Sequence, residues 1–216
     1  MKILANDGIS SAGIKALEAA NYEVITVKVA QEQLISYIND NDIKALLVRS
    51  ATSARKDLVD ACPGLKLIGR GGVGMDNIDV NYAREKGVHV INTPAASSVS
   101  VAELVFAHLY GGVRFLYDSN RNMPLEGEAN FGSLKKAYSN GIELRGKTLG
   151  IIGFGRIGQE VAKIGLGVGM NVIAADPHFE GANVPVSFFN GESIDIEIKT
   201  PSIDSVLELA NFITLH

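Results

Sequence analysis

The chain has 216 residues, 46% of them hydrophobic and 20% charged, so it carries enough apolar side chain for a packed core and is not a disordered polypeptide. Twenty Lys and Arg stand against 24 Asp and Glu, a net charge of -4, and with no basic run to track phosphates nucleic acid is not expected as a partner. No apolar stretch approaches the roughly 18 residues of a membrane span and the N-terminus lacks an export signal, while one cysteine, Cys62, and four scattered His give neither a disulfide nor a metal spacing; a soluble cytoplasmic protein with no membrane partner and no metal is the expectation.

Length allows one large domain or two small ones. From the first residue, short β-branched runs alternate with helical patterns. Strands are predicted at Lys2–Asn6, Glu23–Val27, Ala45–Arg49, Leu65–Gly69 and Val88–Ile91, and helices at Ser11–Ala20, Glu32–Ile38, Lys56–Ala61 and Asp79–Glu85. That rhythm is βαβ, hence a parallel sheet. Near Asn92-Thr93-Pro94 the proline stops the strand and a Ser-rich segment follows, which places a domain boundary there. Val101–Val113 then reads as a helix that is apolar most of the way round, the mark of a helix buried between domains or at a subunit contact. The polar stretch Asp118–Asn140, interrupted by Pro124 and Gly127, is expected as an irregular surface connection.

A second βαβ unit begins at Lys147, with a strand at Thr148–Ile152, a helix at Arg156–Ile164 and a strand at Asn171–Ala175. Gly169 suits the residue just past the end of that helix. Runs at Val186–Phe189 and Ser193–Lys199 flank Asn190-Gly191, a hairpin signal. Ser202–Leu209 reads as a helix and Phe212–Leu215 as a strand.

The turn Gly153-Phe154-Gly155-Arg156-Ile157-Gly158 follows a strand and opens a helix, and Asp176 ends the next strand. This context is what a dinucleotide fingerprint requires. Gly153 permits the tight turn, Gly155 lets backbone approach a pyrophosphate, and Gly158 lets helix and strand pack closely, while the amides of Arg156 and Ile157 point at phosphate. Asp176 would accept bonds from the ribose hydroxyls and repel a 2′-phosphate. No arginine follows it, where Pro177-His178-Phe179 stands, so NAD is expected rather than NADP. Farther upstream, successive amides around Gly72, Val73 and Gly74 could form an anion-binding nest or only a flexible connector.

The run Gly69–Asp79 (GRGGVGMDNID), with Val48-Arg49-Ser50, Asn92-Thr93-Pro94 through Ala102-Glu103, the GFGRIG turn, Asp176 and the closing Ile213-Thr214-Leu215-His216, resembles the D-isomer-specific 2-hydroxyacid dehydrogenases. The resemblance runs through nearly the whole chain. It implies an α/β architecture: a flavodoxin-like substrate-binding domain over residues 1–96, lacking its usual closing helix, then a Rossmann-type NAD-binding domain over 97–216, incomplete in this chain. It implies a small 2-hydroxy acid as substrate, bordered by Arg49 and Ser50 and held through the amides of Gly72, Val73 and Gly74. Val73 and Val101 would approach the nicotinamide side of the cofactor, Asp176 and Pro177 the ribose, and Thr214 and His216 would line the cofactor pocket with Gly153, Gly155, Arg156, Ile157 and Gly158. A homodimer through the helix after Ser100 is implied too.

Three departures from the family pattern stand out. Ser97 occupies a position often held by Asn, and the predicted hairpin at 186–200 replaces a short strand and loop. The family's catalytic Arg, Glu and His all fall beyond His216, so no catalytic residue is expected within the chain. A regulatory NAD-binding module without turnover is the reading from a different class; Arg, Glu and His in order after His216 would separate the enzyme from it.

Overall fold

The structure, a computed structural model, describes residues 1–179 and 181–216. It divides into two compact units, Met1–Ser97 and Ser98–His216.

In the first unit β1 (Lys2–Ala5), β2 (Glu23–Ile25), β3 (Ile43–Val48), β4 (Leu67–Arg70) and β5 (His89–Asn92) form one sheet in the order β2-β1-β3-β4-β5, every neighbouring pair parallel. The helices α1 (Ser11–Ala19), α2 (Gln31–Asp40), α3 (Lys56–Ala61) and α4 (Val80–Glu85) fill the crossovers. This is the flavodoxin-like order, which reverses direction between β1 and β3, and the crevice beyond the carboxyl ends of those strands is where such sheets hold ligands. The central strand β3 is covered on both faces, and its near-continuous apolar run IKALLV records that burial. Leu34 and Ile38 of α2, one turn apart, pack into the same core as Leu4, Leu46, Leu58 and Ile68. Burying such a side chain fully contributes about 1.5–3 kcal/mol.

The second unit contains α5 (Ser98–Val113), α6 (Leu116–Tyr138), β6 (Thr148–Ile152), α7 (Arg156–Gly167), β7 (Asn171–Ala175), β8 (Ala182–Ser187), β9 (Ser193–Ile198), α8 (Ile203–Leu209) and β10 (Phe212–Leu215). Its parallel sheet runs β10-β6-β7. A bridge between Ile173 and Lys199 brings the end of β9 alongside β7, so the order matches four strands of the Rossmann-type arrangement, with its switch point between β6 and β10. The helix α7 buries Gly158, Val161, Ala162 and Gly165 on one stripe and ends in a Schellman motif: Met170 N donates to Gly165 O at 2.9 Å and Gly169 N to Leu166 O at 3.0 Å, with Gly169 at φ +83°.

Two expectations need correction. Residues 118–140 are not an irregular connection: α6 is helical to Tyr138, takes in Pro124, and is kinked at Asn130, where the dihedrals are non-helical. None of its residues is buried, so no apolar stripe marked it, and Pro124 and Gly127 read as breakers although Leu, Met, Glu, Ala and Lys around them favour a helix. The second concerns the hairpin. Its first strand spans 182–187 rather than 186–189, because Pro185 is tolerated where β8 pairs on one side with β9. The turn is a three-residue loop: Phe188 N donates to Glu192 O at 2.8 Å and Gly191 N to Phe188 O at 3.0 Å, with Gly191 at φ +89°. Val184 and Ile198 anchor the hairpin in the core of the unit.

The helix α5 is apolar as predicted but buries only one face, through Ala102 and Phe106. Val99, Leu104 and Tyr110 on the rest of its surface are 52%, 56% and 42% exposed. No single helix among the described residues is long and apolar enough to cross a membrane.

Candidate substrate and cofactor sites

In the first unit a cavity of about 760 Å³ opens at the carboxyl end of the sheet, bordered by Asp7 after β1, Arg49 after β3, Arg70 at the end of β4 and Asn92 at the end of β5. Asp7, which sequence reasoning passed over, organises its floor. One carboxylate oxygen accepts from Arg49 N at 2.6 Å and Thr52 N at 3.0 Å, the other from the Thr52 hydroxyl at 2.7 Å. Partial burial pushes its carboxyl up, but the Thr52 hydroxyl, the two amides and the Lys28 charge outweigh it and hold the group below its ordinary value. Asn77 closes the loop from the other side, donating from Nδ2 to Arg49 O at 2.7 Å and Thr52 O at 2.6 Å. The only sequence sign of this clamp was an Asn-Asp-Gly turn directly after the first strand.

The glycine loop after β4 is held as firmly. Asn92 Nδ2 donates to Val73 O at 2.7 Å, Thr93 N to Gly72 O at 3.1 Å, and the Arg70 guanidinium to Gly74 O. Of the three amides named for the nest, that of Gly72 is turned to Arg70 O at 3.0 Å. The amides of Val73 and Gly74, in exposed residues, have no protein acceptor among the described residues. Arg49 and Ser50 are exposed at the rim, and the Arg49 side chain has no ion-pair partner among the described residues. The structure thus brings Arg49, Ser50 and the Val73-Gly74 amides onto two loops tied together by Asn77.

In the second unit the glycine turn lies between β6 and α7. Gly153 adopts φ +91°, and a Cβ there would meet His216 O at 2.2 Å; one on Gly158 would meet Gly153 O at 2.2 Å. The protein's own packing therefore requires both. Gly155 is different: it has φ -71° and nothing lies within 4 Å of its Cβ position. Neither backbone conformation nor a neighbouring protein atom calls for glycine here, whereas a pyrophosphate seated on the turn does. The amides of Arg156 and Ile157 have no protein acceptor among the described residues, the first intrahelical bond being Gln159 N to Gly155 O at 3.0 Å. Free donors, the positive helix end and the open space beside Gly155 fit a dinucleotide phosphate.

Asp176 is tied to this turn. Its Oδ2 accepts from Phe154 N at 2.7 Å and its Oδ1 from His178 N at 2.8 Å, and these amides hold its carboxyl below the ordinary value. Each oxygen keeps a lone pair for a ribose hydroxyl. Phe154 is fully buried, edge-on to Phe179 at 6.3 Å, so the turn is set into the core. Thr214 Oγ1 lies 3.0 Å from His216 Nε2 at the end of β10, and His216 N donates to Ile152 O at 2.9 Å. Partial desolvation pushes the His216 imidazole down. Pro177 is exposed beside Asp176, and Val101 is half-buried on the first turn of α5. Gly153, Gly155, Arg156, Ile157, Gly158, Asp176, Thr214 and His216 therefore share the carboxyl end of one sheet.

Two parallel α/β units, one with its crevice at a β1/β3 switch and one with a glycine turn at a Rossmann-type switch, define an α/β protein with a dinucleotide-binding type of fold. The family model for the catalytic domain of D-isomer specific 2-hydroxyacid dehydrogenases matches residues 3–212, and the chain belongs to that family. It is 39% identical over its whole length to D-3-phosphoglycerate dehydrogenase of Methanocaldococcus jannaschii, covering 38% of that protein. It is 39% identical over 194 residues, 90% of the chain, to hydroxypyruvate reductase of Thermotoga maritima, covering 57% of it. A crystal structure of NAD+-bound 3-phosphoglycerate dehydrogenase from Entamoeba histolytica superimposes with a TM-score of 0.70 at 27% identity, over the whole of this chain and 62% of the other. The chain thus spans 38% to 62% of the length of these relatives.

Proposed function

We propose that the protein to which this chain belongs is an NAD-dependent D-2-hydroxyacid dehydrogenase of the cytoplasm whose substrate is D-3-phosphoglycerate, oxidised to 3-phosphohydroxypyruvate in serine biosynthesis. The observation that carries the reading is Gly155, a glycine that the fold itself does not need, above two unpartnered amides and beside Asp176. Likeness over the full chain to a D-3-phosphoglycerate dehydrogenase supports the substrate.

In this reading residues 1–96 bind substrate and residues 97–216 bind NAD. The amides of Val73 and Gly74 take the substrate carboxylate, with Gly72 shaping the loop and Arg49 and Ser50 at its side. Gly153, Gly155, Arg156, Ile157 and Gly158 seat the pyrophosphate, Asp176 and Pro177 border the ribose, Val101 faces the nicotinamide, and Thr214 and His216 line the pocket. Bound NAD would supply the hydride acceptor for C2 of the alcohol. The hydroxyl proton goes to a His supported by a Glu, with an Arg polarising the carbonyl, and these three are expected C-terminal to His216 as in the family. A homodimer forms through α5, whose exposed Val99, Leu104 and Tyr110 offer the apolar face.

The test is NADH formation by the full-length protein with D-3-phosphoglycerate, D-glycerate and D-lactate. Turnover fastest with D-3-phosphoglycerate supports the proposal. A preference for another 2-hydroxy acid overturns the substrate, and NAD binding with no turnover overturns the enzyme in favour of a regulatory module.

A further inference from the structure

The hairpin of β8 and β9 has two unlike faces. In its register Ala182 pairs with Ile198, Val184 with Ile196 and Val186 with Ile194, and directly opposed residues of an antiparallel pair point to one side. That side is apolar throughout, while the other carries Asn183, Pro185 and Ser187 opposite Glu197, Asp195 and Ser193. Burial fades along the apolar face. At its base Val184 and Ile198 are buried in the core of the second unit, Val186 and Ile196 are half-buried, and at the distal end Ile194 and Phe188 are 56% and 49% exposed. Phe189, in the turn, is fully exposed. The hairpin thus extends beyond the core that holds its base, with half of an apolar face uncovered.

Its free edge is closed to a further strand. Phe188 N donates to Glu192 O, so by the alternation of antiparallel pairs Val184 and Val186 also turn their amides to β9, and Pro185 stands where an amide would face outward. Docking therefore goes through the side chains of the apolar face. That face turns toward α7, which packs on β8 and in turn carries α5, so it continues the side of the unit on which Val99, Leu104 and Tyr110 are exposed. Strands that extend a sheet of this order add beyond β10, at the opposite edge, and do not cover it.

The helix α6 has a complementary surface. It buries no side chain over 23 residues, and Leu125 and Phe131 stand exposed on it, although helices in proteins owe most of their stability to packing. Between Gly181 and Ile198 the charged residues are Glu192, Asp195 and Glu197, and between Ala129 and Tyr138 they are Lys135 and Lys136. None of these five forms an ion pair among the described residues.

Resting on the homodimer of the reading above, we infer that the hairpin is an arm that grips the second copy. Phe188, Phe189 and Ile194 pack on the second copy's α6 beside Leu125 and Phe131, with Lys135 and Lys136 turned toward Glu192 and the acidic strand β9. A two-fold axis repeats the contact on both sides of the α5 faces. An apolar centre with a rim of opposite charge is what a specific interface requires.

The full-length protein is compared with Phe189→Asp, Phe189→Leu and Leu104→Glu by sedimentation velocity, and amide hydrogen exchange in 116–138 and 182–198 is followed above and below the dimer midpoint. Phe189 is fully exposed in its own unit, so its replacement leaves the monomer folded. Phe189→Asp should weaken the dimer at least about tenfold and speed exchange in α6, while Phe189→Leu should keep most of the affinity. Reversing Lys135 and Lys136 to Glu should weaken the dimer too, and Glu192→Lys in the same chain should restore part of the loss. A dimer whose affinity stays within about twofold in Phe189→Asp overturns the arm, and if Leu104→Glu still weakens it the α5 dimer stands without the arm. A weaker dimer with unchanged exchange in α6 overturns α6 as the docking surface. Equal protection of the hairpin in monomer and dimer places its cover within one chain and overturns the inference. A parent protein that is monomeric throughout removes the homodimer itself, and that is seen before any variant is made.

Discussion

A Cβ placed on Gly158 would lie 2.2 Å from the carbonyl oxygen of Gly153. Backbone stands on both sides of that contact, so the clash has no rotamer to relieve it. Gly158→Ala should therefore destabilise the second unit by about 1–3 kcal/mol or more, as overpacking does, and lower the denaturation midpoint whether or not NAD is present.

Gly155→Ala gives the opposite pattern. With open space around its Cβ position and φ at -71°, the variant should lose no more than about 1 kcal/mol, the cost of Ala in place of Gly at the N-cap of α7. Its affinity for NAD, followed by titration calorimetry, should fall at least about tenfold, because the added methyl stands where phosphate must approach. Parent-like NAD affinity would remove the main support for the cofactor site.

Asp7 predicts a limb of the pH-stability profile. Its carboxyl is held below the ordinary value of 3.8 in the folded protein. A depressed carboxyl stabilises the fold fully above its unfolded value, and that contribution is lost as pH falls through the folded one. Urea denaturation between about pH 5 and pH 2 should show Asp7→Asn losing less stability on acidification than the parent, although it starts lower because Asn cannot accept all three bonds from Arg49 and Thr52. An identical acid slope in both would mean that Asp7 is not the titrating group.

Leu104 is 56% exposed on the outer face of α5. If that face joins two copies, Leu104→Glu should shift the full-length protein from dimer to monomer in sedimentation velocity, because a lone charge is costly in an apolar contact. A dimer that persists unchanged would place the subunit contact elsewhere.

Much of this was legible along the chain. The strands Thr148–Ile152, Asn171–Ala175 and Phe212–Leu215 and the helix Lys56–Ala61 fall at the predicted residues; β6 is the clearest of them, because it lies between β10 and β7 with Leu149, Gly150 and Ile151 buried, and such a strand shows as an unbroken apolar run. The glycine turn was legible for a similar reason: the demands of a tight turn and a close helix act on residues within six positions of one another. The helix α6 was not. It buries no side chain, so burial left no periodic mark on it, and Pro124 and Gly127 outweighed the helix formers around them.

By itself the sequence determined the βαβ rhythm, the parallel sheets and the dinucleotide turn with Asp176, since each depends on local periodicity or on a spacing within one supersecondary unit. Tertiary structure alone decided the clamp of Asn6, Asp7, Thr52 and Asn77. Asn6 and Thr52 are 46 positions apart, and they meet because β1 pairs directly with β3, which brings the carboxyl ends of two strands distant in sequence to one edge of the crevice. A hydrogen bond across that distance depends on which strands become neighbours, and no window of sequence records that choice.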